Sequence, residues 1–128
     1  MHRIFVYGTL KRSFGNWSML LKDRSTFVGT AVSEPTFTML GMGGFPGIIH
    51  GGSTRIHGEV FEVNDVVLRD LDRLEGHPSW YERQPLQVTL EDGSTLAVEG
   101  YVLPEAYRHR HREVPGGRWP AANATNVA

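Results

Sequence analysis

Two runs rich in β-branched and aromatic residues, Trp80 to Leu90 and Thr95 to Leu103, flank the tetrapeptide Glu91-Asp92-Gly93-Ser94. Asp-Gly supplies the positive backbone angle that a tight connection between antiparallel strands needs, so the two runs are predicted to pair as a long hairpin. An antiparallel pair of this length does not belong in a sheet built from strand-helix-strand units, and no sustained alternation of strand and helix patterns occurs elsewhere in the chain. At 128 residues the chain is long enough for one domain with a real core and too short for two.

The remaining segments extend the same bias. Ile4-Phe5-Val6-Tyr7 is a short apolar run stopped by Gly8, which predicts a buried strand ending in a tight turn. Thr26 to Val32 and Thr36 to Leu40 lie on either side of Glu34-Pro35 and predict two strands or one bent strand. In Arg55 to Val63 both alternate sets carry apolar residues, which predicts a strand covered on both faces. Only two helices are expected: a short one through Trp17, Met19, Leu20 and Leu21 with Asn16 as its cap, and a stronger one from Asn64. The second has Val67, Leu68, Leu71 and Leu74 on one stripe and is stopped by Gly76 and Pro78. Between them, Gly41 to Gly52 is rich in glycine yet keeps Phe45, Ile48 and Ile49, an unusual mixture for a solvated loop and a sign of backbone packed closely against something. The fold class is α+β, a small mixed sheet or barrel with flanking helices. Residues 1–104 are expected to form this domain, and residues 105–128 a C-terminal extension, basic at first and then irregular or disordered.

Charge and composition narrow the chemistry. Lys plus Arg number 13 against 14 Asp plus Glu, so no global field favours nucleic acid or an acidic membrane surface. The absence of cysteine excludes disulfides, thiolate zinc sites and a cysteine nucleophile. His109 and His111 sit among Arg108, Arg110 and Arg112, whose positive charges oppose cation binding, so no metal is expected there. Met1-His2-Arg3 leads straight into the first strand pattern, and no apolar run approaches membrane-spanning length, so a soluble, cytoplasmic protein is expected.

Glu75 is the carboxylate that calls for an explanation, because it falls in the last turn of the stronger helix. Unpaired carbonyls there carry partial negative charge, oppose ionisation and tend to raise a carboxyl's pKa, a burden for stability and an aid to proton transfer. At the end of the first strand, Tyr7-Gly8-Thr9-Leu10 is predicted to expose successive backbone amides, a concavity suited to a carboxylate or an oxyanion. It lacks the spacing and terminal Lys-Ser/Thr of a phosphate loop.

Taken in order, Val6-Tyr7-Gly8-Thr9-Leu10-Lys11-Arg12, Phe45-Pro46-Gly47-Ile48, Gly58-Glu59-Val60-Phe61-Glu62-Val63, and Leu71-Asp72-x-Leu74-Glu75-Gly76-x-Pro78 followed by Tyr81-x-Arg83 resemble the γ-glutamylcyclotransferase-like family. The γ-glutamylamine cyclotransferase and AIG2-like branch is the most similar. The resemblance runs from about Arg3 to Leu103 and implies a small mixed β-barrel with helices outside. It further implies a pocket in which Tyr7, Gly8, Thr9 and Leu10 hold a γ-glutamyl group, Glu75 is the acid/base, and Tyr81 shapes or closes the cavity. The implied activity converts a γ-glutamyl amine, a small-molecule substrate, into 5-oxoproline and free amine with no metal or organic cofactor. A second reading keeps the same barrel pocket for a small-molecule-binding protein without turnover.

Overall fold

The computed structural model describes residues 1–120. Five strands close a barrel in the order β1-β5-β2-β6-β7: β1 His2–Val6, β2 Thr26–Ser33, β5 His57–Val63, β6 Glu82–Leu90 and β7 Thr95–Val102. The expected hairpin forms with Gln87 opposite Ala97 and Thr89 opposite Thr95, and the Leu90 carbonyl accepts from Gly93 N–H at 2.9 Å across the turn. Gly93 has φ 89°, the left-handed conformation for which a glycine was needed. Closure depends on a parallel bridge between β1 and β7 at Ile4 and Glu99, which joins the first strand of the chain to the last strand of the barrel.

A second, three-stranded sheet, β4-β3-β8, packs beside the barrel from β3 Phe37–Gly41, β4 Pro46–His50 and β8 Arg112–Glu113. Strand β4 arises inside the glycine-rich segment, which sequence patterning leaves irregular. Its residues pair with β3 from Phe37–His50 to Gly41–Pro46, and Ile48 and Ile49 are fully buried. Gly47 explains why the segment looks unlike a strand: a Cβ there would fall 2.9 Å from Leu103 Cγ. A residue chosen for lack of volume hides a β-strand from composition.

Residues 105–120, expected to form an extension, carry regular elements and packed side chains. Glu105–His109 forms a 3₁₀ turn, β8 pairs with β3 through Leu40–Glu113 and Gly41–Arg112, and Val114 is buried. Trp119 packs against the core, and Gly117 accepts from His57 N–H at 2.9 Å. These residues lack periodicity because each is held by a separate partner rather than by one continuous face. Arg108 of the basic run is likewise used internally: its guanidinium meets Glu105 and donates to the carbonyls of His50 and Gly51. The expectation of disorder for residues 121–128 lies outside the described residues.

The helices are α1 Gly15–Leu20 and α2 Asp65–Glu75. Helix α2 follows the sequence closely. Asn64 caps it by accepting from Val67 N–H at 2.9 Å, and Gly76 ends it at φ 67°. Two apolar clusters result. Phe5, Ala31, Val60, Leu86, Val88 and Val98 come from all five barrel strands and fill the barrel, whereas Ile4, Val6, Phe61 and Val63 meet Val67, Leu68 and Leu71 of α2. The two-sided burial expected for the Arg55 to Val63 segment is thus explained: β5 is central and faces the barrel interior on one side and α2 on the other. Among the described residues no helix is long and apolar enough to cross a membrane.

Candidate active site

The turn that follows β1 and the carboxylate at the end of α2 face one space. A cavity of about 40 Å3 lies between them, lined by Val6, Tyr7, Gly8, Thr9, Leu10, Phe45, Pro46, Glu75, Tyr81 and Tyr101. All six residues singled out in the sequence, Tyr7, Gly8, Thr9, Leu10, Glu75 and Tyr81, line this one space.

The turn is closed by Lys11 N–H donating to the Gly8 carbonyl at 3.0 Å. Among the described residues no acceptor engages the N–H groups of Gly8, Thr9 or Leu10. Gly8 is required by close approach: a Cβ would stand 2.8 Å from both Cγ and Cδ of Pro46, on the neighbouring cavity wall. Asn16, expected to cap α1, instead lies within the helix and donates its amide to Thr9 Oγ1 at 2.6 Å. Helix α1 therefore braces the turn rather than merely following it. Beyond the turn, Glu59 accepts from Arg12 N–H at 2.7 Å and pairs with the Arg12 guanidinium, anchoring the chain as it leaves the cavity.

Glu75 is mostly buried, and burial pushes its carboxyl up to about 7. The sequence argument assigned a raised pKa to the helix end; in the folded chain desolvation is the cause. Among the described residues no cation pairs with its carboxylate and no donor bonds to it.

The tyrosines play different parts. Tyr7 is buried, donates its hydroxyl to the Tyr101 carbonyl at 2.8 Å and accepts from Ile48 N–H at 3.2 Å. Its phenol is spent tying β1 to β7 and β4, so it offers the cavity its ring. Tyr81 donates to the Pro46 carbonyl at 2.8 Å, which fixes Pro46 across from Gly8. Burial raises the pKa of both phenols, and the nearby Glu75 carboxylate adds to the effect, so neither ionises near neutrality.

Tyr101, which carried no sequence signal, also lines the cavity, and its hydroxyl donates to Asp72 Oδ1 at 2.7 Å. Asp72 lies one helical position from the buried stripe of α2, within reach of Arg69 and Arg73 on the same helix. It pairs instead with Arg83, whose Nη1 lies 3.1 Å from Oδ2, because the turn after Gly76 brings the start of β6 back beside α2. Arg83 N–H also donates to His77 Nδ1 at 2.9 Å, giving the motif arginine and the turn histidine a shared structural task.

The family model described as gamma-glutamyl cyclotransferase, AIG2-like, matches residues 4–121. The chain belongs to that family. Within it, the chain is 39% identical over 95 residues to the gamma-glutamylaminecyclotransferase of Rattus norvegicus, a match covering 69% of this chain and 64% of the rat protein. It is 34% identical over 90 residues to a gamma-glutamylcyclotransferase family protein of Escherichia coli, covering 66% of this chain and 72% of that one. The crystal structure of an AIG2-like protein from Mus musculus superposes with a TM-score of 0.70 at 32% identity, covering 80% of this chain and 76% of the mouse chain. The expected barrel with flanking helices is therefore the family's α+β fold, and the match extends past residue 104 into the segment that the structure packs against β3.

Among the described residues there is no cluster of three or more His, Asp or Glu side chains able to hold a metal ion. The cavity presents backbone amides without a protein acceptor, a carboxyl raised to about 7 with no cation beside it, and an aromatic surround. That combination can orient an anionic or carbonyl group and move protons.

Proposed function

We propose that this chain cyclises a γ-glutamyl amine to 5-oxoproline and a free amine, with Glu75 as general acid/base. The observation that carries the reading is a single one: the Glu75 carboxyl, raised to about 7 and unpaired, shares a small cavity with the unpartnered amides of the Tyr7 to Leu10 turn. Nucleophile and electrophile sit on one substrate molecule, so holding the glutamyl chain folded supplies much of the acceleration. Ionised Glu75 takes a proton from the substrate α-ammonium, and the freed nitrogen attacks the γ-carbonyl carbon. The turn amides face the oxyanion, the bond from that carbon to the leaving nitrogen breaks, and Glu75 returns its proton to the departing amine. The ammonium nitrogen loses two protons in becoming a lactam N–H, and the released amine gains two in becoming an ammonium ion, so no water is consumed.

The test is quantification of 5-oxoproline from Nε-(γ-glutamyl)lysine and from a panel of γ-glutamyl amides. Steady turnover by the wild-type chain, lowered about 100-fold or more by Glu75→Gln, is expected from the usual contribution of a general acid/base. Absence of product from the whole panel, or full activity in Glu75→Gln, overturns the proposal. Tight γ-glutamyl amide binding with no product would replace it by a binding protein on the same pocket.

A further inference from the structure

The cavity does not end at Glu75. A second recess of about 320 Å3 adjoins it and shares Thr9, Phe45, Glu75 and Tyr81 as walls, then continues over Asn16, Leu74 and Trp80. The inner space, about 40 Å3, is several times smaller than the outer one. The bulkier part of a substrate must therefore lie in the outer recess.

The chemistry of that recess is one-sided. Phe45 and Trp80 meet edge to face at 5.7 Å, and Trp80 leans on Tyr81 at 5.0 Å, forming a continuous aromatic wall. Leu74, which helical spacing places on the buried stripe of α2, is 39% exposed and lies at this recess instead of in the core. Among the described residues no lysine, arginine or histidine lines it, and its one ionisable carboxyl is Glu75. Arg83, near the end of the same turn, is engaged by Asp72 and Glu99. Lys22 lies over the Trp17 ring. A leaving group bearing a carboxylate would meet no cation here and would face the Glu75 carboxylate during the step in which Glu75 must be ionised. A leaving group with an aryl or alkyl body would cover the aromatic wall.

Resting on the cyclotransferase reading above, we infer that the amine released by this chain is an apolar monoamine with an arylalkyl or alkyl body, and not an amino acid or a peptide. The bond changes are those already given; only the group on the departing nitrogen is specified.

The experiment compares kcat and KM for γ-glutamyl-benzylamine, γ-glutamyl-butylamine, γ-glutamyl-alanine and Nε-(γ-glutamyl)lysine, using the full chain and measured 5-oxoproline. The benzyl and butyl substrates are expected to exceed the two amino-acid substrates in kcat/KM by at least about tenfold, chiefly through KM, since even one methylene in an apolar pocket is worth that much. Trp80→Ala is expected to shrink this ratio. Leu74→Lys, at an exposed position, is expected to raise kcat/KM for γ-glutamyl-alanine by supplying the missing cation. Equal or better turnover of the amino-acid substrates by the wild-type chain overturns the inference while leaving the cyclotransferase reading intact. Turnover of none of the four overturns both.

Discussion

Replacing Glu75 by glutamine should stabilise the protein, and by an amount that depends on pH. The carboxyl titrates near 4.5 when exposed and at about 7 when folded. The folded chain therefore keeps this proton over a range in which the unfolded chain has lost it, and stability falls as pH rises from about 4.5 through 7. At about 1.4 kcal/mol per pKa unit, the full shift costs the wild-type chain about 3 kcal/mol once both states are ionised. Glutamine fills the same space with no charge to desolvate. The difference in unfolding free energy, variant minus wild type, should be constant below about pH 4, reach ~1.4 kcal/mol above that baseline near pH 5.5, and level off about 3 kcal/mol above it by pH 8. Urea unfolding followed by tryptophan fluorescence at several pH values measures the difference, and taking it between two chains cancels the titration of every other group. A difference that stays flat from pH 4 to 8 would refute the claim that Glu75 is held in a desolvating site, and with it the reason for expecting a proton shuttle there. A strained carboxyl that costs stability at the pH where it is ionised is intelligible if catalysis needs it in that place.

Other expectations follow from the same geometry. The kcat/KM for a γ-glutamyl amide should rise with pH through an apparent pKa of about 7, as Glu75 becomes the ionised base that accepts the ammonium proton; a profile flat from pH 5.5 to 8 would contradict that role. Asp72→Ala leaves the Arg83 guanidinium with Glu99 alone and frees the Tyr101 hydroxyl, and should cost about 2 kcal/mol in urea unfolding, below the value for a fully buried pair because both partners are partly solvated and Glu99 remains. Gly8→Ala forces a methyl group against Pro46 on the cavity wall and should lower both stability, by about 1–3 kcal/mol, and turnover; unaltered kinetics would show that this wall does not bear on the site. Truncation after Pro104 removes the buried Val114 and the packed Trp119, and should lower the unfolding free energy by about 3 kcal/mol or more; a truncated chain as stable as the full one would show that residues 105–120 are dispensable to the domain.

The amino-acid sequence by itself determined those elements whose cause is local. Asp92-Gly93 sets the hairpin because that turn needs a positive φ, and Asn64, the stripe through Leu71 and Gly76 set both ends and the buried face of α2 because cap, period and stop lie within a dozen residues of one another. Motif order across the chain named the family and its candidate site, and the structure brings those six residues to one cavity. Tertiary structure alone decided what depends on distant partners. Strand β4 exists because β3 pairs with it and Leu103 needs the space that Gly47 leaves. Residues 105–120 are ordered because β3, His57 and the core each hold a piece of them. Asp72 finds Arg83 rather than its helical neighbours because the chain doubles back after Gly76. The Glu75 carboxyl is raised by desolvation, a property of the surroundings that no spacing of residues encodes, because folding brings the end of α2 and the turn after β1 to one cavity.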